Sequence, residues 1–114
     1  MTEVKITKKQ NKIAKVECIG HAGAGAKGED IVCAALSSIV QTAALGLLTV
    51  AGININLKRD EKKGYLLMEI PQNLGELEQI KADAILDTMC LGLSDLHESY
   101  SDFITIVMSS ERSQ

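Results

Sequence analysis

The sequence predicts an α+β fold, a two-layer sandwich in which a β-sheet packs with two helices in the order ββαββαβ. Short segments in which apolar and polar residues alternate predict the strands, and most of these segments come in pairs joined by polar turns. Two longer segments carry apolar residues at helical spacing and follow the two pairs. Hairpins alternating with helices favour a sheet covered by helices. The 114 residues form one predicted domain, residues 1–114.

The N-terminal residues predict the first hairpin. Val4 and Ile6 alternate with charged residues and predict a short strand, and Lys8–Lys12 is typical of a polar turn. Apolar residues alternate with charged ones over Ala14–Cys18, which predicts a second strand with one buried face. His21 follows this strand and, if the strand stays regular that far, points away from the Cys18 side.

The first helix is predicted from Ile31 to about Thr49, with Asp30 as its N-cap and Gly52 near its end. No charged residue lies between Ile31 and Leu57. A bilayer span needs about 20 predominantly apolar residues, but serine, threonine, glutamine and asparagine interrupt this run and much of the rest is alanine. We therefore expect a buried helix and no membrane segment. A small two-layer domain has too little chain to cover such a helix, so we expect a homodimer that buries part of it.

The second hairpin is predicted from the residues that follow. Alternation predicts strands over Ile53–Leu57 and Leu66–Ile70, with the charged turn Lys58–Gly64 between them. Pro71 ends the later strand because proline cannot donate to a strand ladder.

The second helix is predicted to begin with a capping box formed by Asn73 and Glu76. Its predicted apolar face consists of residues at helical spacing: Leu77, Ile80, Ala84, Ile85, Thr88, Met89, Leu91 and Leu96. Phe103–Met108 predicts a last strand, and Ser109–Gln114 is a polar tail.

Composition argues against several classes of function. The net charge is −3, and the chain has three aromatic residues and no excess of basic residues. This composition argues against nucleic-acid binding. The N-terminal residues lack the apolar run of a signal peptide, so we expect a cytoplasmic protein. Its three cysteines should then be reduced, without a structural disulfide.

The positions of Cys33 and His21 suggest chemistry. A lone cysteine in an apolar helix is more often packing than function, because free cysteine is among the most buried residue types. If Asp30 caps the helix, however, Cys33 is the third residue inside it, where unpaired amide hydrogens favour a thiolate. The helix dipole contributes about 0.3–1 kcal/mol, less than the ~1.4 kcal/mol that one pKa unit represents, so a basic partner is needed. His21, across the glycine-rich loop, is the candidate.

The remaining cysteines and the other histidine have structural explanations. Cys18 lies on the core side of its predicted strand, Cys90 lies in mid-helix, and His97 stands among acidic residues late in the second helix. A zinc site formed by Cys18, His21, Cys33 and Cys90 lacks the paired spacing of known zinc motifs. We therefore expect no metal.

The glycines of the loop have an alternative explanation. Gly23–Gly28 matches the G-x-G-x-x-G pattern of a dinucleotide-binding turn between a strand and a helix. That pattern requires an acidic residue about 20 residues later, and the nearest match, Asp60, is too distant. Glu29 and Asp30 would also repel phosphate. We therefore expect no cofactor.

The segments Gly20–Ala22 and Asp30–Ser37, with a glycine-containing loop between them, resemble the bacterial ribosomal-processing cysteine protease family, called Prp. The family pattern is Gly-His-Ala, a loop, then Asp-Ile-Val-Cys-Ala-Ala-x-Ser, and the spacing from histidine to cysteine matches. The size and element order fit along nearly the whole chain. Where the family loop often carries an aromatic residue, this chain has Ala24 and Ala26.

The resemblance implies a cysteine endopeptidase that acts through a Cys-His dyad. Cys33 would be the nucleophile and His21 the general base. The residues that would support the site or bind substrate are Asp30, Ser37, Gly23, Gly25 and Gly28. The resemblance further implies a cytoplasmic homodimer that removes the N-terminal extension from the precursor of ribosomal large-subunit protein twenty-seven, after a pair of phenylalanines, during ribosome maturation.

Two other classes of function fit the same residues. A non-catalytic ribosome-assembly or ribosome-binding module could retain the thiol. A thiol-dependent transferase or nucleotide-binding protein could use the glycine loop. Cleavage of a peptide that contains the extension junction separates the first of these from a peptidase, and a nucleotide-dependent thermal shift tests the second.

Overall fold

A computed structural model describes residues 2–20, 29–60 and 62–111, and for Glu29 and Asp30 it describes the backbone alone. The elements are β1 (Thr2–Lys9), β2 (Lys12–Ile19), α1 (Glu29–Leu45), β3 (Asn56–Asp60), β4 (Tyr65–Glu69), α2 (Glu76–Ser99) and β5 (Ile104–Glu111). A π-helical turn, Gly46–Val50, continues α1. The predicted α+β class and the order ββαββαβ are confirmed.

The strands form one five-stranded sheet in the order β3-β4-β2-β1-β5. The pairs β1–β2, β2–β4 and β3–β4 are antiparallel, whereas β5 lies parallel to β1 at the edge. The parallel pair arises because α2 carries the chain back across the sheet before β5 begins. This pairing brings the first and last strands together and holds the N-terminal end of β1 in place.

Both helices pack on one face of the sheet. Val4, Val16 and Met68 share that face through the strand register and belong to the same buried cluster as Leu36 of α1 and Leu86 of α2. The opposite face carries charged residues such as Lys5 and Glu17, which pair with each other across β1 and β2. The core is therefore aliphatic and lies between one sheet face and two helices.

The turn between β1 and β2 is tighter than the predicted Lys8–Lys12. Two residues connect the strands, Gln10 with a φ of 52° and Asn11 with a φ of 68°. Positive φ at both central positions matches the twist of a hairpin, and asparagine tolerates that conformation better than most residues.

The first helix begins earlier than predicted. It starts at Glu29, so Asp30 is its second residue and not its cap, and Cys33 is its fifth residue and not its third. Acidic residues in the first turn are favourable there, because they face the positive end of the helix dipole. Cys33 consequently lies in the second turn, where the dipole contributes less than the sequence suggests.

The predicted third strand is wrong in its position. Ile53 and Ile55 are buried, but they precede β3, and the charged residues predicted as a turn form part of β3 instead. Gly52 has a φ of 66° and ends the helical segment, after which the Ile53 N–H donates to the Leu47 carbonyl at 2.8 Å. These isoleucines are thus buried because they pack under the end of the helix, and they lie outside the strand.

The second helix also differs from its prediction. It begins at Glu76, and the Gly75 N–H donates to Glu78 Oε1 at 3.0 Å, so the cap lies two residues beyond the predicted Asn73. Its buried residues are Ala82, Leu86, Met89 and Leu93. Of the predicted face, five residues are exposed: Leu77, Ile80, Ala84, Thr88 and Leu91. At about 100° per residue, these five lie on the side of α2 away from the buried stripe.

The last strand is longer than predicted. It runs to Glu111, so Ser109 and Ser110 belong to the sheet and not to a polar tail. They pair with Thr7 and Lys8 of β1, and backbone hydrogen bonds compensate for their poor strand propensity.

The segment Ile31–Val50 is long and apolar enough to cross a bilayer by length and composition. One such helix is weak evidence, because the core helix of a globular domain passes the same test. Here Val32, Leu36, Val40 and Leu47 are buried against the sheet. This packing accounts for the buried third of the segment, whereas Ile31, Leu45 and Val50 are exposed.

Candidate active site

A cavity of about 340 Å³ opens at the end of the sheet where β1 and β4 begin and where β2 and β3 end. Its floor is a row of three residues that pair across the helix-facing side: Cys18 of β2, Leu66 of β4 and Arg59 of β3. Gly20 and Gly64 form its rim. The floor is therefore apolar near the centre of the sheet and carries a cation at the edge strand.

One face of α1 covers this floor. Cys33, Ser37 and Gln41 line the cavity, and their spacing of four residues places them in one row along the helix. Arg59 donates from Nη1 to the Oε1 of Gln41 at 3.3 Å, which closes the far end of the row. The cavity thus extends from the Cys33 thiol to the Arg59 guanidinium.

The immediate partner of the thiol comes from β1. Thr2 Oγ1 lies 2.7 Å from Cys33 Sγ, and either atom can donate the hydrogen bond. Thr2 is 3% exposed, whereas Cys33 is partly exposed to the cavity. A Cβ placed on Gly20 would come within 2.7 Å of the same Thr2 oxygen, so glycine is required there for Thr2 to lie beside the sulfur.

The structure places two of the predicted site residues in this cavity, Cys33 and Ser37. His21, Gly23, Gly25 and Gly28 lie outside the described residues, and so does the side chain of Asp30. Gly20, the residue before His21, lines the cavity.

A family profile described as "Cysteine protease Prp" matches residues 1–105. The chain belongs to the Prp family of cysteine proteases.

Individual Prp proteins agree with this assignment. The chain is 29% identical over 94 residues to the "Ribosomal processing cysteine protease Prp" of Bacillus subtilis (strain 168), covering 82% of this chain and 84% of that one. A crystal structure of Prp from S. aureus with a substrate peptide has a TM-score of 0.83 and 25% identity, covering 95% of this chain and 99% of that chain. A second S. aureus structure, with a covalently linked product peptide, has a TM-score of 0.77 and 26% identity at the same coverage.

A Prp cysteine protease needs an accessible thiol, and burial distinguishes the three cysteines. Cys18 is 4% exposed, and this burial raises the pKa of its thiol to about 12. Burial also raises the pKa of the half-buried Cys90, with Asp87 adding to the rise and Lys8 opposing it. Both thiols therefore stay protonated at neutral pH, which agrees with their predicted packing role.

Among the cavity residues that the sequence does not single out are Thr2, Arg59 and Tyr65. Thr2 stands at the edge of the first predicted strand, and Arg59 falls in a segment that looks like a charged turn. No local pattern marks Thr2 or Arg59, because the packing of α1 over the sheet end brings Thr2 to the thiol and Arg59 to Gln41 at the far end of the cavity.

Tyr65 lies at the rim of this cavity. Its hydroxyl donates to Glu17 Oε2 at 2.8 Å. That hydrogen bond raises the pKa of Tyr65, and desolvation and the negative charges of Glu17 and Glu69 act in the same direction. The phenol therefore stays protonated through neutral pH and donates to Glu17, on the sheet face opposite the helices.

Within the ranges 2–20, 29–60 and 62–111, no three histidine, cysteine, aspartate or glutamate side chains come together as a metal site.

Proposed function

We propose that this protein is an endopeptidase that uses Cys33 as its nucleophile and removes the N-terminal extension from the precursor of ribosomal large-subunit protein twenty-seven. The observation that carries the proposal is the position of Cys33: its thiol lines an open cavity of about 340 Å³ in a chain of the Prp family. Cys18 and Cys90 are held protonated by burial, so Cys33 is the thiol suited to attack.

His21 is proposed as the general base of the dyad. Attack by a thiol requires removal of its proton, and His21 would supply the base for Cys33. Gly20 lines the cavity and precedes His21 in the sequence, which supports this pairing. Asp30, Ser37 and the glycines Gly23, Gly25 and Gly28 are proposed to support the site or bind substrate.

The reaction follows from these roles. The Cys33 sulfur attacks the scissile carbonyl carbon, and His21 takes the thiol proton and returns it to the amine that leaves. The resulting thioester joins the N-terminal extension to Cys33, and water then hydrolyses it. The S. aureus Prp complex with a covalently linked product peptide is compatible with such an intermediate.

The lining of the cavity supports a substrate with large apolar residues before the scissile bond. Leu36 and Leu66 line it beside Cys33, and the volume suits an aromatic side chain. A pair of phenylalanines at the end of the extension, as the family resemblance implies, would bury apolar surface there. The name of the B. subtilis relative and the substrate-peptide complex of S. aureus Prp support a ribosomal substrate.

A cytoplasmic homodimer completes the proposal. The outer sides of both helices present uncharged residues to solvent, including Thr42 and Leu45 of α1 and Ile80, Ala84 and Leu91 of α2. A groove of about 570 Å³ runs between the helices on this side. We call these outer sides with the groove the helical face. Burying it against a second copy would remove apolar surface from water.

The test is cleavage of the ribosomal precursor followed by mass spectrometry. Wild type should release the extension, Cys33→Ala should release none, and Cys90→Ala should cleave as wild type does. Alanine suits a helix, so Cys33→Ala should keep the fold. Equal cleavage by Cys33→Ala and wild type would reject the mechanism. Binding of the precursor without cleavage by wild type would favour the non-catalytic ribosome-assembly module.

A further inference from the structure

Thr2 is a buried polar residue whose hydroxyl lies against the sulfur of Cys33. We infer that this hydroxyl positions the Cys33 sulfur and, by donating its hydrogen, stabilises the thiolate that attacks the substrate. The inference rests on the proposed role of Cys33 as nucleophile. It assigns a role in thiol activation to the first described residue of β1, far from the histidine and cysteine segments in the sequence.

Thr2 is held firmly enough to position another atom. Its backbone N–H donates to the Phe103 carbonyl at 2.9 Å, and it pairs with Ile104 of β5. Its side chain faces α1, on the same side of the sheet as Val4. With 3% of its surface exposed, the side chain has little room to adopt another rotamer.

Gly20 restricts the hydroxyl from the other side. A Cβ on Gly20 would lie 2.7 Å from Thr2 Oγ1 and 3.1 Å from Thr2 Cγ2, so the threonine side chain occupies the space that any other residue would fill. The Gly20 N–H donates to the Gly64 carbonyl at 2.9 Å, which fixes the glycine itself. The Thr2 oxygen is therefore confined between Gly20 and Cys33.

The direction of the hydrogen bond depends on the state of the sulfur. A neutral thiol and a hydroxyl can each donate to the other. A thiolate has no hydrogen, so Thr2 must be the donor once Cys33 is ionised. Hydrogen bonds to ionised acceptors are roughly twice as strong as neutral ones. The contact at 2.7 Å thus places a hydrogen-bond donor for an ionised sulfur beside Cys33.

Other titratable and charged groups line the cavity or neighbour its residues in the sequence. Arg59 and Asp60 come from β3, Tyr65 from β4 and Cys18 from β2. The Asp60 carboxylate accepts from the Lys63 backbone N–H, Tyr65 donates to Glu17, and Arg59 donates to Gln41. Glu29 and Asp30 lie in the first turn of α1, His21 follows Gly20, and Glu3 follows Thr2. None of these groups changes when Thr2 alone is substituted, so a Thr2 variant isolates the hydroxyl.

The experiment measures the rate of Cys33 alkylation by iodoacetamide from about pH 5.5 to about pH 9, with mass spectrometry to identify the labelled cysteine. Thr2→Val replaces the hydroxyl by a methyl group of similar size. It should slow labelling near neutral pH by about threefold to tenfold. It should also raise the pH at which the labelling rate reaches half its maximum by about half a unit to one unit. Thr2→Ser restores the donor and should return both values towards wild type.

Thr7→Val is the matched control, because Thr7 is a second buried threonine of β1 and does not line the cavity. It should label as wild type does. Thermal melting of each variant reports whether the fold is retained. If Thr2→Val does not fold, Thr2→Ala gives the same comparison without the extra methyl group.

The inference is overturned if both hydroxyl-free variants keep the wild-type pH profile. It is also overturned if Cys33 labels as slowly in Thr2→Ser as in Thr2→Val, because the slowing would then not depend on the hydroxyl. Alkylation needs no peptide substrate, so the result is independent of precursor cleavage. A shifted profile in a protein that does not cleave the precursor would reject the proposed function while retaining the role of Thr2 at the thiol.

Discussion

The backbone N–H of Gly20 donates a hydrogen bond to the carbonyl oxygen of Gly64, at 2.9 Å, and so joins the end of β2 to the start of β4. Both glycines line the cavity that contains the Cys33 thiol. Gly64 has a φ of 63°, a conformation that glycine adopts without strain. The chain that leads into His21 therefore leaves the sheet at the rim of the candidate active site.

Replacing His21 tests the proposed base. His21→Ala should lower the turnover of a precursor peptide by about 10²–10⁴-fold, the usual contribution of general acid–base catalysis. Labelling of Cys33 by iodoacetamide near pH ~6.5 should slow as well, because the imidazole no longer promotes the thiolate. His97→Ala on α2 is the control and should leave both rates unchanged. Wild-type turnover and labelling in His21→Ala would remove this residue from the mechanism.

The buried thiol of Cys18 should make the protein less stable at alkaline pH. Its pKa is raised from 9.0 in the unfolded chain to about 12 in the fold. Below pH 9 both states keep the proton, whereas between these two values the unfolded chain loses it and the folded chain does not. The free energy of unfolding should therefore fall as pH rises through this window.

Urea unfolding at about pH 8 and about pH 10 measures this effect. The loss of stability between the two should be smaller in Cys18→Ala than in wild type by about 1 kcal/mol. Cys90→Ala should reduce the loss less, because Cys90 is half-buried. Equal losses in Cys18→Ala and wild type would mean that the Cys18 thiol ionises as easily in the fold as in the unfolded chain.

Two glycines should respond to alanine in opposite directions. Gly92 lies inside α2, and a Cβ there would meet Ile39 Cγ2 at 3.4 Å, an ordinary contact, so Gly92→Ala should stabilise the protein by about 0.4–1 kcal/mol. Gly52 has a φ of 66°, so Gly52→Ala should destabilise it by about 1–2 kcal/mol, although the space around it is open. Chemical denaturation of the two variants measures both changes, and a shift of the same sign in both would contradict the prediction.

Light scattering at micromolar concentration tests the proposed homodimer. Wild type should have the mass of two chains. Ile80→Glu places a charge on the helical face, where Ile80 is 59% exposed, and should yield a monomer because a buried unpaired charge is costly. Met108→Glu is the control, since Met108 is 55% exposed on the edge strand β5. A wild-type monomer, or a dimer that Ile80→Glu leaves intact, would reject this interface.

Local patterns determined much of the architecture. Alternation over Ala14–Cys18 and Leu66–Ile70 predicted strands that the structure contains, because burial of one sheet face is recorded in every second residue. The uncharged run after Asp30 predicted a helix, and the structure contains one with a single side buried in the core. The spacing of Cys33 and Ser37 placed both on one helix face, and both line the cavity.

Tertiary packing decided what these patterns leave open. Apolar residues lie on two opposite sides of α2: one side carries Leu77 and Leu91, and the other is the buried stripe that contains Leu86. The sequence of α2 alone does not indicate which of these sides is buried. The choice depends on which side meets the sheet, and the other side is left to solvent. In the same way, nothing in the local sequence distinguishes Thr2 from other strand residues. Its pairing with β5 and its contact with Gly20 place it beside Cys33. Periodicity is a local property of the chain, whereas the contact between Thr2 and Cys33 joins residues that only the assembled sheet and its covering helix bring together.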